Sequence, residues 1–118
     1  MNIQKERRRF VRLNVLTDVG YAKRSNGKEE RLSLAKNISA GGICLVVYDE
    51  LRASDTLDLK IWLPDDKEII TAVGRVVWVK EISLESLGSA KRFEAGIEFI
   101  EIKDEDMKKI NTYVFKHL

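Results

Sequence analysis

The sequence predicts a mainly β domain, a six-stranded antiparallel barrel followed by one C-terminal α-helix. Three observations lead there. Short segments with apolar residues at every second position recur along the chain, separated by Asn, Gly and Pro turn signals. No helical stretch long enough for a crossover lies between them, which excludes a parallel sheet. The period changes only after Asp104, to the three- and four-residue spacing of an amphipathic helix. A chain of 118 residues, 44% apolar and 34% charged, is one domain that can bury a core.

In chain order, residues 1–12 carry no periodicity and are expected to form a mobile basic arm, with the barrel domain spanning 13–118. From Leu13 the pattern settles, and Val15, Thr17, Val19 and Tyr21 share one face of a first strand. Ser25-Asn26-Gly27 is a turn signal, because Asn-Gly tolerates positive φ at both central positions. A second strand follows with Leu32 and Leu34 expected inward, ending near Asn37. Ser39-Ala40-Gly41-Gly42 punctuates the chain, and Ile43 to Tyr48 reads as a largely buried third strand.

Asp49 to Asp55 is polar and irregular. Leu57, Leu59, Ile61 and Leu63 then alternate with Asp58, Lys60 and Trp62, and Pro64-Asp65-Asp66 closes this fourth strand in a turn. Glu68 to Lys80 is the longest strand candidate, and Gly74 within it marks a bulge or bend. Glu81 to Ala90 reads as a loop, with room for one helical turn at residues 84–87. Phe93, Ala95, Ile97 and Phe99 form the last strand, with Gly96 on its other face relieving crowding. The helix spans about residues 104–117. Asp104 is its expected N-cap, Glu105 and Asp106 suit the first-turn dipole, and Met107, Ile110, Val114 and Leu118 form the apolar stripe.

Charge is balanced overall, at +2, but not evenly distributed. Residues 1–12 hold five basic side chains and one acid, Glu6, which leaves 16 basic and 18 acidic residues elsewhere, a net of −2. That asymmetry indicates a local anion site near the start and argues against a general nucleic-acid surface. Cys44 is the only cysteine and His117 the only histidine, so neither a disulfide framework nor a Cys/His metal cluster can form. Cys44 reads as a small core residue in a reducing compartment, and His117 as solvent-exposed. Nothing reaches the roughly 18 consecutive apolar residues of a membrane span. The start leads into arginines, unlike a signal peptide, and the expected location is the cytoplasm.

Two stretches carry the functional reading. Glu6-Arg7-Arg8-Arg9-Phe10-Val11-Arg12-Leu13 places four guanidinium groups within six residues. Arginine is always charged, planar and forked, and it pairs bidentately with phosphate or with the O6/N7 edge of guanine. The second stretch is Asn37-Ile38-Ser39-Ala40-Gly41-Gly42. Each alone is bland, since short basic runs are usually solvated tails and Asn-x-Ser-x-x-Gly is usually a capped turn.

Together, Arg7-Arg8-x-x-x-Arg12 and Asn37-x-Ser39-x-x-Gly42 resemble the PilZ domain family. Gly74-Arg75-Val76-Val77-Trp78 and Phe93-Glu94-Ala95-Gly96-Ile97-Glu98-Phe99 echo the family's late strands. The resemblance covers nearly the whole chain. It implies a PilZ-like six-stranded barrel with a C-terminal helix that binds the bacterial second messenger cyclic di-GMP. Arg8 and Arg12 match the family's two arginines, which grip guanine Hoogsteen edges and phosphate. Arg7 could stack on a base or add a phosphate contact. Asn37, where the family often has aspartate, and Ser39 would bond the guanine edge, while Gly42 would let the base approach. Arg9 and Trp78 are secondary candidates. Trp78 is first a half-buried strand residue, although some family members place an aromatic near the ligand.

The resemblance implies no cofactor beyond the ligand itself. A receptor of this kind would relay the signal by folding its arm over the ligand and changing the surface seen by a partner protein, whose identity the sequence does not carry. The apolar helix face reads as intramolecular packing, which makes the chain a monomer or a weak homodimer. Catalysis needs a convergent nucleophile, base and orienting group, or a metal. The placement of Cys44 and His117 supplies none, so an enzyme is not expected. Two alternatives rank lower. One is an adaptor of the same fold without nucleotide binding, although its usual mark, degraded motifs, is missing. The other is a small barrel for single-stranded nucleic acid, which needs basic and aromatic residues spread over a face.

Overall fold

The computed structural model describes residues 10–26, 29–64, 67–82 and 91–118. Six strands, β1 (Thr17–Lys23), β2 (Arg31–Ser39), β3 (Gly42–Val47), β4 (Thr56–Trp62), β5 (Ile70–Ile82) and β6 (Arg92–Ile102), precede helix α1 (Asp104–Lys116). They close into one barrel in the order β1-β2-β3-β6-β5-β4, every pair antiparallel. Closure leaves no edge strand in the main sheet.

Alternation predicts the inward face of most strands. Val19 and Tyr21 of β1, Leu57, Leu59 and Ile61 of β4, and Ala95 and Ile97 of β6 are all buried. Each fully buried aliphatic side chain contributes about 1.5–3 kcal/mol. Helix α1 adds Ile110, Tyr113 and Val114 to the same core.

Strand β2 departs from expectation. Leu32 and Leu34 face outward, 79% and 41% exposed, while Ala35 and Ile38 are buried. The pairing with β1 dictates this: Leu32 and Leu34 lie opposite Gly20 and Asp18 on its outer side, and Ala35 lies opposite buried Thr17. A leucine's hydrophobicity does not override the parity of the neighbouring strand.

Three smaller corrections follow from geometry. The β1–β2 connection begins with a 3₁₀ turn, Arg24–Asn26, in place of a tight Asn-Gly hairpin, and Gly27 lies outside the described residues. The N-cap of α1 is Lys103, with no side-chain cap, and Asp104 is already helical. The helix stripe is Asp106, Ile110, Tyr113 and Val114, whereas Leu118 is 67% exposed beyond the last turn. The acidic first turn, Asp104, Glu105 and Asp106, is as expected. His117 is exposed, its ring 4.5 Å from that of Tyr113.

Strand β5 runs through Ile82, so Glu81 and Ile82 belong to it; residues 83–90, including the expected helical turn, lie outside the described residues, as do Asp65 and Asp66. Its register shifts twice, at Val73/Gly74 and at Val76/Trp78. The loop before β4 is fastened beside the second shift: Ser54 N–H donates to Val76 O at 2.8 Å and Val76 N–H to Asp55 O at 2.9 Å. The loop also buries Leu51.

Candidate functional site

Two β-bulges and a short bridge build a depression on the outer face of the barrel. In β2 the register slips between Ala35 and Asn37, leaving Lys36 as the extra residue. Before the slip Ala35 points inward; after it Ile38 does, opposite Ile43. Without the extra residue Asn37 would share Ala35's inward parity, so the bulge turns its amide outward. In β5, Val76 is buried opposite Ile97, Val77 is extra, and Trp78 lies outward opposite Gly96.

The bridge is made by Leu13. Its N–H donates to Ile38 O at 2.8 Å, and Ile38 N–H donates back to Leu13 O at 3.0 Å. Leu13 is itself part of the core. Leu13 is thus held between Asn37 and Ser39, and Arg12, the residue before it, emerges beside them.

The resulting depression, about 300 Å³, is lined by Arg12, Asn37, Ser39, Gly42 and Trp78 among others. Five of the eight candidate residues therefore meet at one place. Arg7, Arg8 and Arg9 lie outside the described residues.

Ser39 plays a narrower part than a free hydroxyl would. It is 8% exposed, and its Oγ accepts from the N–H groups of Gly41 and Gly42, both at 3.2 Å. Its hydroxyl holds the β2–β3 hairpin shut at Ala40-Gly41. Gly42 is required by a close approach: a Cβ there would lie 2.0 Å from Ile97 O. Gly41 is covered by Phe10, whose Cδ2 would stand 2.4 Å from an added Cβ, and its carbonyl accepts from Phe99 N–H at 2.9 Å.

The floor is small. Across the sheet Asn37, Cys44, Gly96 and Trp78 form one outward row, and Ser39, Gly42, Glu98 and Arg75 the next. The Trp78 indole lies over Gly96, where a Cβ would stand 2.2 Å from its Nε1. Trp78 is 41% exposed, so one ring face is held while part of the ring meets solvent. Cys44 is buried in the floor; burial, then Glu94, push its thiol pKa up against the opposing influence of Lys36 and Arg12. A thiol so placed is a filler, not a nucleophile.

The site's cations are not equivalent. Lys36 is bonded to Glu94 at 2.7 Å and Arg75 to Glu98. Among the described residues no carboxylate is paired with Arg12.

Sequence reasoning passed over Phe10, Cys44 and Glu98 as lining residues. The adjacent Gly41-Gly42 pair was a usable signal, since neighbouring glycines leave bare backbone on which other atoms can pack, as Phe10 and Ile97 do.

The PilZ domain profile matches residues 6–116, almost the entire chain. The chain belongs to the PilZ domain family. No curated protein matches it. Among solved structures, this PilZ chain is similar to the Bacillus subtilis inhibitor of motility MotI/DgrA, with 29% identity and a TM-score of 0.78 over 94% of this chain and 51% of that one. It also resembles K. pneumonia MrkH in complex with c-di-GMP, at 23% identity and TM-score 0.75, covering 94% and 51%. The PilZ domain of Escherichia coli YcgR with c-di-GMP matches at 11% identity and TM-score 0.72, covering 95% and 92%. The last two share the fold. The chain spans about half the length of the first two.

Among the described residues no helix of this PilZ barrel is long and apolar enough to cross a membrane. Among the same residues no group of three or more His, Cys, Asp or Glu side chains could hold a metal ion.

Proposed function

We propose that this chain is a cyclic di-GMP receptor whose binding site is the depression between the Leu13–Ile38 bridge and Trp78. One observation supports the reading above the others: the anchored leader brings Arg12, with no acid partner among the described residues, to the turn that carries Asn37, Ser39 and Gly42. A dianion with two planar bases needs fork-shaped cations beside a flat, small-residue floor, and both features are present. Family membership and the complexes of MrkH and YcgR with c-di-GMP support the same ligand.

In this reading Arg12 grips phosphate and a guanine Hoogsteen edge, Arg8 and Arg7 join it from the leader, and Asn37 meets the base from the barrel. Trp78 offers its exposed ring to the second base. Ser39 and Gly42 act through the backbone, keeping the hairpin tight and the floor bare. Capture folds the N-terminal arm over the ligand and changes the surface offered to a partner protein. The role is that of a receptor, not an enzyme.

Titration calorimetry with cyclic di-GMP tests this. A hydrogen bond to a charged group is worth roughly 1.5–3 kcal/mol, so Arg12→Ala should weaken binding by about tenfold to a hundredfold or more. Arg12 is exposed, and the melting temperature of the free protein should hold. Unchanged affinity in Arg12→Ala refutes the site.

A further inference from the structure

One residue of the depression has the wrong sign for a dianion. Glu98 on β6 lies between Gly42 and Arg75 in the outward row and lines the cavity. Its Oε1 accepts from the Arg75 guanidinium, and among the described residues Oε2 has no partner. A carboxylate beside phosphates weakens binding through like-charge repulsion, unless the ligand donates hydrogen bonds to it.

Cyclic di-GMP has few donors. Its phosphates and the O6/N7 edge of guanine only accept; apart from the ribose 2′-hydroxyls, its donors are N1–H and the 2-amino group, side by side on the Watson–Crick edge. Two acceptor lobes on one carboxylate match that pair. The Asn37 carboxamide, across the Gly42–Gly96 floor, is neutral and offers one acceptor oxygen, a weaker match to two adjacent donors than a charged carboxylate with two oxygens. Adenine presents a lone pair at N1, which a carboxylate repels.

We infer that Glu98 reads the Watson–Crick edge of guanine and sets the base specificity of the site, with Arg75 as the positioning residue that aims it. This rests on the nucleotide reading above and names the group that selects the base.

The experiment titrates the full chain, wild type and Glu98→Gln, with cyclic di-GMP and with its inosine analogue, which keeps N1–H and O6 but lacks the 2-amino group. The wild type should bind the inosine analogue about tenfold or more weakly than cyclic di-GMP. Glu98→Gln should lose a similar factor for cyclic di-GMP while binding the inosine analogue within about twofold of the wild type, a non-additive pair of changes. A carboxylate that only repels the phosphates gives the opposite sign, with Glu98→Gln binding both nucleotides more tightly. That outcome, or equal binding of the two nucleotides by the wild type, overturns the assignment of Glu98 and leaves the site standing. A wild type that binds no cyclic di-GMP removes the nucleotide reading and this inference together. The wild-type comparison of two ligands needs no variant to fold.

Discussion

Gly42→Ala separates what a motif glycine does for the fold from what it does for a ligand. The added Cβ would lie 2.0 Å from Ile97 O and 3.1 Å from Glu98 Cα, both backbone atoms of the adjoining central strand. No rotamer change can relieve a clash with backbone, so β3 and β6 must part by about 1 Å at that pair. Overpacking of this kind costs about 1–3 kcal/mol, and one or two weakened ladder bonds add about 0.5–1.5 kcal/mol each. Replacing glycine in a strand returns only about 0.5–1 kcal/mol of chain entropy. The clash wins, with a net loss of about 2–3 kcal/mol out of a total stability of about 5–15 kcal/mol. At about 4 °C per kcal/mol for a domain of this size, the melting temperature should fall by about 10 °C. Thermal unfolding of the ligand-free protein by circular dichroism reads it directly. A variant that melts within about 2 °C of wild type, whatever its affinity, refutes the close-approach argument and returns Gly42 to a ligand role alone.

Gly96→Ala meets a side chain, since its Cβ would press on Trp78 Nε1 and Cε2 at 2.2 and 2.4 Å. The half-exposed indole can swing away, so the variant should stay within about 1 kcal/mol of wild-type stability while its Trp78 emission shifts to the red in a Trp62→Phe background. An unshifted spectrum contradicts the stacking. Tyr21 Oη donates to Asp49 at 2.6 Å, and Asp49 in turn pairs with Arg31 at 2.9 Å. Burial first, and then Asp49, push the phenol well above its ordinary value of 10.0. The folded state therefore keeps a proton that the unfolded chain releases, so this contribution is complete below about pH 10 and is lost as pH rises further. Tyr21→Phe should cost about 1–2 kcal/mol at neutral pH and should flatten that alkaline decline. Urea unfolding at pH 8 and pH 10.8 checks both, and parallel losses for the two proteins contradict the linkage.

Elements and site were legible to different degrees. Strands β1, β4 and β6 were readable to within a few residues because each turns alternate apolar side chains to the core, as Leu57, Leu59 and Ile61 do. The acidic start of α1 was readable for a similarly local reason. Leu32 and Leu34 misled, because their side is set by the parity of β1 and not by their own hydrophobicity. Within the candidate site, Arg12, Asn37, Ser39 and Gly42 could be named through the resemblance to the PilZ motifs, and Trp78 as a secondary candidate, but Glu98 could not. Its strand shows only an ordinary outward acid until the pairing puts Gly42 on one side of it and Arg75 on the other.

The sequence by itself determined an antiparallel barrel with a terminal helix and a basic leader, because strand period, helix period and charge are local properties of the chain. Only the tertiary structure decided that Asn37 and Trp78 look outward onto one floor. Each owes its direction to a single extra residue, Lys36 or Val77, and a bulge exists only in relation to the strand it faces. The Leu13–Ile38 bridge is of the same kind: two apolar residues far apart in the chain share backbone hydrogen bonds, and Arg12 is thereby held beside Asn37 and Ser39.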